Sequence, residues 1–238
     1  MKPMYRKGAV IAPEASAGVP DYLQEVYWWA YLHPTGVRIF ERQWLVNLIL
    51  WGHFRRLRDA ALAELGPQAQ GHVLQVACVY GDFTQRIVAR LAPEARLTVV
   101  DVAPIQLRNL STKLVPDARV ALQQQDSSAL DLPDGSVDTV ILFFLLHEQP
   151  AAVRRRTLGE ACRVVKPGGK VVLVDYHTPS RWHPLRYLMA PVLCRLEPFA
   201  LDLWREEIAA FRPPGRGPLA ERKATCCGGL YQKVVWQF

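Results

Sequence analysis

The sequence predicts an α/β protein built on an open, mostly parallel sheet. From about Val73 onward, short β-branched runs alternate with longer amphipathic segments, the pattern of parallel strands joined by crossover helices. Each run is apolar along its whole length, as strands buried on both faces require. Pro and Gly punctuate the intervening segments where helices start and stop. With 238 residues, half of them apolar, the chain is long enough for one sizeable core plus an appendage.

The predicted strands are Val73–Ala77, Leu97–Asp101, Val120–Gln124, Thr139–Phe144 and Lys170–Asp175. Pro104 and Pro150 each open a helix, and Lys166-Pro167-Gly168-Gly169 stops one before the fifth strand begins. Gly228-Gly229 followed by Leu230 to Trp236 reads as a hairpin that adds an antiparallel carboxyl-terminal edge. Two regions fall outside this series: a helical cap with membrane-interface character over 1–70, and a helical insert over 178–218 within the α/β domain of 71–238.

In the cap, Val37, Phe40, Trp44, Leu48, Trp51 and Phe54 recur at helical spacing among Arg38, Arg42, Arg55, Arg56 and Arg58, with Trp28-Trp29 just upstream. Aromatic residues favour the headgroup zone and arginine attracts anionic lipid, although a helix packed on a core has the same pattern. In the insert, Trp182, Tyr187, Leu188, Met189, Leu193, Leu196, Phe199, Leu203 and Trp204 are interrupted by Pro184, Pro191 and Pro198. Such a segment suits a lid over an apolar substrate, or equally a cap on the sheet edge.

Lys and Arg number 29 against 22 Asp and Glu, a net charge of +7 that calls for an anionic neighbour. The basic residues are dispersed and no recognition module accompanies them, so nucleic acid is not the expected partner. The apolar runs Val140–Leu146 and Trp44–Trp51 are far short of the roughly 20 residues that span a bilayer. Lys2, Arg6 and Lys7 precede only the short apolar stretch Ala9–Ala12, too little for a secretory signal. The expected location is therefore cytoplasmic, peripheral on the inner face of the cytoplasmic membrane. Five cysteines, odd in number and without CxxC spacing, read as reduced thiols. Arg154-Arg155-Arg156 reads as a solvated helix face, and His33, His53, His72 and His183 have no evident partner.

In open α/β sheets, ligands bind beyond the carboxyl ends of the strands, near the point where strand order reverses. The loop residues to inspect begin with Gln75-Val76-Ala77-Cys78-Val79-Tyr80-Gly81-Asp82. Asp101 ends the second strand, where an acid is placed either to hydrogen-bond the ribose hydroxyls of a nucleoside cofactor or to cap local backbone. Val102 follows it, and Asp126-Ser127 after the third strand either reads an adenine edge or forms a simple turn. His147, Glu148, Asp175 and His177 follow the fourth and fifth strands. They are oxygen and imidazole groups suited to a divalent cation, to helix capping or, for His147, to proton transfer.

The stretch Val73 to Asp175 resembles class I S-adenosylmethionine-dependent methyltransferases, closest to those of quinone biosynthesis. The resemblance rests on the first loop, Asp101, Leu132-Pro133-Asp134-Gly135-Ser136-Val137-Asp138 and Arg163-Val164-Val165-Lys166-Pro167-Gly168-Gly169-Lys170. It implies a Rossmann-like fold, with Gln75, Val79, Tyr80, Gly81, Asp101, Val102, Asp126 and Ser127 holding S-adenosylmethionine. The first loop departs from the family pattern: Gln75 replaces an acid, and Val79 and Tyr80 stand among positions usually held by glycines. With the Trp-rich amino region, the run Gln75 to Asp82 is similar to rhodoquinone biosynthesis methyltransferase-like proteins. That similarity implies replacement of a ubiquinone methoxy group by an amino group, S-adenosylmethionine as nitrogen donor, and a divalent metal, manganese being expected. Read from their positions in the chain, Tyr80, His147 and Asp175 are the candidate catalytic residues, and His147 and Asp175 stand ahead of Glu148 and His177 as candidate ligands for that metal.

Bulk at Val79 and Tyr80 is expected to move the methionyl tail and bring its α-amino group toward the ring. A neutral Gln75 is expected to let that amine lose its proton. Tyr80 either donates a hydrogen bond to a quinone oxygen or cofactor carboxylate, or packs. Conventional methylation of a quinone or phenol, and a noncatalytic scaffold at the membrane, remain alternatives.

Overall fold

The computed structural model describes residues 18–215 and 217–238. The first seventeen residues of the expected cap, with Lys2, Arg6, Lys7 and Ala9–Ala12, lie outside the described residues, as does Arg216 of the insert. The amino-terminal additions are α1 (Asp21–Val26), a π-helical turn (Trp28–Leu32), α2 (Pro34–Phe40), α3 (Gln43–Ile49) and α4 (Phe54–Ala63). Then come β1 (His72–Val76), α5 (Phe83–Val88), β2 (Arg96–Asp101), α6 (Pro104–Lys113), β3 (Val120–Gln124), β4 (Val137–Phe143), α7 (Ala151–Val164) and β5 (Val165–Tyr176). The insert contributes α8 (Pro184–Leu196) and α9 (Asp202–Arg205), and β6 (Ala220–Cys226) and β7 (Tyr231–Gln237) close the chain.

The seven strands run in the order β3-β2-β1-β4-β5-β7-β6. Pairs among β1 to β5 are parallel, and β7 enters antiparallel between β5 and β6. All five predicted parallel strands form, within a few residues at their ends, because each is apolar enough to be covered on both faces. Pro104 takes the first position of α6 and Pro150 caps α7, as their missing N–H groups allow. The Lys166–Gly169 segment does end α7, but it is absorbed into β5 beside a register shift between Val137 and Thr139.

The two motifs that carry the family resemblance lock together. Arg163 donates to the Leu130 and Leu132 carbonyls and to Asp134 and Glu160, while Gly135 N–H donates to Arg163 O. These motifs are therefore scaffold, holding the β4 entry against α7. The reading of Arg154-Arg155-Arg156 as a solvated face is corrected at its first member. Arg155 and Arg156 are exposed, but Arg154 is fully buried and donates to the carbonyls of Leu146, Gln149 and Phe199. A buried guanidinium satisfies several carbonyls at once, which a sequence run cannot reveal.

The helical spacing from Val37 to Phe54 does not give one helix. It is divided among α2, α3 and α4, with Val37 and Phe54 buried and Trp44 and Leu48 left in solvent. Gly36 explains how α2 sits so near the π-helical turn: an added Cβ would lie 1.8 Å from Trp29 O. Among the described residues no helix is long and apolar enough to cross a membrane.

Candidate active site

The strand order reverses between β1 and β4, and both strands end there in residues with left-handed backbone, Ala77 (φ 72°) and Phe144 (φ 55°). Such angles cost a non-glycine residue energy and persist only where the surroundings over-determine them. Here the sheet does so: Ala77 N–H donates to Val100 O and Phe144 N–H to Val174 O, each at 2.8 Å. Gln75, fully buried on β1, adds a brace by donating from Nε2 to Ala77 O at 2.9 Å while Thr84 donates to its Oε1.

Two cavities meet at this reversal. The first, the more polar of the two, runs over the ends of β1 to β3, with Tyr22, Asp101, Val102, Asp126, Ser127 and Gln149 among its lining residues. The second is apolar and lies under the helical additions, lined by Trp29, Phe40, Val46, Val79, Tyr80, Phe143, His147, Tyr176 and Glu197 among others. Tyr31, Cys78, Phe144 and Glu148 line both.

In the polar cavity Asp101 accepts Cys78 N–H at 2.7 Å and Ala103 N–H at 2.8 Å, one on each oxygen, and burial raises its pKa. Each carboxylate oxygen retains acceptor capacity. Asp126 accepts Ser128 N–H, and Ser127 joins Thr157 and Gln149 through its hydroxyl. The Gln149 side chain is fully buried and its Oε1 has no hydrogen-bond partner.

At the junction, Asp175 is buried on β5 and accepts from Leu146 N–H, His147 N–H and Tyr176 N–H, which pins the 3-10 turn Leu146–Glu148 to the sheet. The His147 ring faces Asp175 Oδ1 through Nδ1 at 3.0 Å; Nε2 lies 3.8 Å from Glu148 Oε1 and 3.9 Å from Glu197 Oε2. Burial alone would lower the His147 pKa, but the Asp175 charge and hydrogen bond outweigh it and push it up to about 9. Burial, reinforced by Glu197 and opposed by His147, pushes Glu148 up to about 8. The Tyr31 hydroxyl donates to Glu148 Oε1.

The residues picked from sequence thus separate. Asp101, Val102, Asp126 and Ser127 share the polar cavity, while Val79, Tyr80 and His147 line the apolar one. Gly81 lines neither: its N–H donates to Glu41, and its positive φ (83°) and the nearness of Phe54 leave little space for a side chain. Gln75 also lines neither, because both ends of its amide are spent within the loop; it shapes the loop rather than facing a nucleophile. Tyr80 is corrected likewise, since its only proton goes to Ala30 O while Gln106 donates to its oxygen and Tyr31 stacks on its ring at 5.8 Å. It clamps the π-helical turn over the first loop.

The assignment of Asp175 as a metal ligand paired with His147 does not fit their geometry. The two are hydrogen-bonded to one another and the Asp175 oxygens already accept backbone N–H groups, so they form an orienting dyad rather than a chelate. Among the described residues no group of three His, Cys, Asp or Glu side chains is spaced to hold a metal. His177 points elsewhere, to Gly229 O and Glu207. Tyr31, Gln149 and Glu197 were not visible as site residues in the sequence, because they come from the cap, the end of a loop and the insert.

Residues 73–169 match the methyltransferase domain family. A ubiquinone/menaquinone biosynthesis C-methyltransferase of Syntrophotalea carbinolica is 33% identical over 149 residues, 62% of each chain. A demethylmenaquinone methyltransferase of Symbiobacterium thermophilum is 31% identical over 132 residues, 54% of this chain and 51% of the relative. The chain thus spans less than two thirds of the length of these relatives. Among solved structures, the mitomycin 7-O-methyltransferase superposes with a TM-score of 0.65 at 17% identity, over 90% of this chain and 61% of that one. A Pyrococcus horikoshii protein superposes with a TM-score of 0.57 at 16% identity, over 92% and 99%. The fold is the Rossmann-like methyltransferase fold, with the antiparallel edge expected from the sequence.

Proposed function

We propose that the chain is an S-adenosylmethionine-dependent transferase acting on the ring of a lipid-soluble quinone. Its specific reaction is the exchange of a ubiquinone methoxy group for an amino group, giving rhodoquinone, at the inner face of the cytoplasmic membrane. The observation that carries the reading is the meeting of a polar cavity, with an acid at the end of β2, and an apolar cavity at Tyr31, Cys78, Phe144 and Glu148. A nucleoside fits the first: Asp101 has acceptor capacity for two ribose hydroxyls, and the unpartnered Gln149 Oε1, with Asp126 and Ser127, suits a base edge. An isoprenoid-bearing ring fits the second.

S-adenosylmethionine supplies either its methyl group or its α-amino nitrogen. Nitrogen transfer begins with bond formation between an unprotonated amine and the ring carbon that carries methoxy, the displaced pair moving to the ring carbonyl oxygen. Return of that pair breaks the C–OCH3 bond, and the proton lost by nitrogen leaves with methoxide as methanol. The ring nitrogen then still carries the donor's α-carbon. Loss of the α-proton passes that C–H electron pair to the quinone, giving a quinol and an N=Cα imine. Water cleaves the imine to the aminoquinol, the reduced form of rhodoquinone, and the 2-oxo acid of the donor. Glu148 is placed to carry the proton lost by nitrogen, because a carboxyl raised to about 8 exchanges protons near neutral pH. His147, oriented by Asp175, stabilises the charge that Glu148 acquires. The side chains of Val79 and Tyr80, set in the apolar cavity, narrow the space by which a methyl donor would approach the ring.

The names of the relatives favour a second reading, C-methylation of a quinol ring, in which Glu148 removes the ring proton instead. Incubation with ubiquinone and S-adenosylmethionine labelled separately in nitrogen and methyl carbon, followed by mass spectrometry of the extracted quinone, decides. Heavy nitrogen in the quinone is the expected result; heavy carbon alone replaces this reading with the second.

A further inference from the structure

The large apolar side chains left in solvent are concentrated. Five of the seven tryptophans (Trp28, Trp29, Trp44, Trp51 and Trp182) are exposed, all in the two helical additions. Helix α3 buries none of its residues although five of its seven are apolar and none is charged; Trp44 and Leu48, one turn apart, are 61% and 62% exposed. Helix α8 turns Met189 and Leu193 inward and leaves Leu188, Val192 and Leu196 outside at successive turns. A helix in water is expected to hide such a stripe.

The two stripes are neighbours. His53, just after α3, packs against Tyr231, three residues after Gly228, and Gly228 is covered by His183, the cap of α8. The apolar cavity lies between them, bounded by Val46 and Ile49 on one side and Glu197 on the other, and its exposed lining residues are Trp29 and Ile49. In the two helical additions Arg38, Arg42, Arg55, Arg56, Arg181 and Arg195 are exposed and form no ion pair among the described residues. The nearby acids Glu41 and Asp59 are committed to Lys113 and Arg58.

We infer that this face docks on an anionic lipid bilayer, with the aromatic and aliphatic side chains of α3 and α8 at the boundary between headgroups and acyl chains, the arginines on the headgroups, and the cavity mouth opening into the lipid. Tryptophan interleaved with unpaired arginine suits this boundary on both counts, whereas a second protein surface would have to neutralise six dispersed cations. That the bilayer also delivers the substrate rests on the quinone reading above; the docking does not.

The full chain is sedimented with large vesicles of phosphatidylcholine alone or mixed with phosphatidylglycerol, at low and high salt, and its tryptophan emission is followed with acyl-brominated lipid. Binding is expected to the mixed vesicles, to weaken with salt, and to be accompanied by quenching. Arg42→Gln with Arg181→Gln is expected to lower partitioning roughly 30-fold. Trp44→Ser with Leu48→Ser removes exposed side chains only and is expected to lower it at least as far while circular dichroism stays unchanged. Failure to bind either vesicle, full binding by the Trp44→Ser/Leu48→Ser variant, or self-association through this face in place of lipid binding overturns the inference. Calorimetric binding of S-adenosylhomocysteine is measured in parallel. Its retention without vesicle binding refutes docking alone, and its loss with vesicle binding intact refutes the enzymatic reading alone.

Discussion

Replacing Glu148 by Gln keeps the shape of the side chain and removes the one carboxyl that lines both cavities. Burial, with the neighbouring Glu197, carries this group from its ordinary 4.5 up to about 8. Between those values the unfolded chain has already lost the proton that the folded chain still holds, so stability falls as pH rises through that window. At about 1.4 kcal/mol per decade of proton affinity, the loss between pH 5 and pH 9 comes to about 4 kcal/mol. His147 acts with the same sign: its folded value of about 9 lies above the ordinary 6.5, so its contribution is complete below 6.5 and is lost as pH rises toward 9.

Glu148→Gln therefore removes part of the slope and leaves the His147 part. In thermal unfolding followed by circular dichroism from pH 5 to pH 9, the parent Tm is expected to fall about 10 °C further than that of the variant, at about 2–4 °C per kcal/mol for a chain of this size. Parallel Tm curves for the two proteins would refute the assignment of a buried, proton-holding carboxyl. The same variant is expected to lose at least about a hundredfold in turnover if Glu148 carries the proton in the reaction.

Asp101→Asn is expected to weaken S-adenosylhomocysteine binding about 10- to 100-fold by calorimetry, because an amide replaces one of two charged acceptors, and to lower Tm as well, because either Cys78 N–H or Ala103 N–H loses its acceptor. Tyr80→Phe deletes the hydroxyl that ties Ala30 O and Gln106 together. It is expected to cost about 1–2 kcal/mol in urea unfolding while changing S-adenosylhomocysteine affinity less than twofold; a large affinity loss would restore Tyr80 to the cofactor site. Arg154→Met leaves the carbonyls of Leu146, Gln149 and Phe199 without their shared donor. The expected loss is about 3–5 kcal/mol, read from the shift of the urea midpoint at unchanged slope.

The five parallel strands were legible because burial on both faces leaves its mark on consecutive residues, and the helix starts because proline advertises them. The polar cavity was half legible: Asp101, Asp126 and Ser127 sit at strand ends, where chain order alone brings them together. The apolar cavity was not, since Tyr31 and Glu197 are separated from Glu148 by 117 and 49 positions in the chain and meet it only when the cap and the insert fold over the sheet. Gln75 and Tyr80 mark the limit from the other side. Their identities stood out in the sequence, but whether a polar side chain faces a ligand or its own backbone depends on partners two to fifty positions away.

What the sequence determined by itself is the layered α/β frame and the acid at the end of β2, because hydrophobic burial and turn chemistry act over a few residues at a time. What only the tertiary structure decided is that His147 and Asp175 bond to each other, that Glu148 is shut away with Tyr31, His147 and Glu197, and that Trp44, Leu48 and Trp182 stay in water. Hydrogen-bond partnership, desolvation and exposure depend on what arrives from elsewhere in the chain, and no local pattern encodes that.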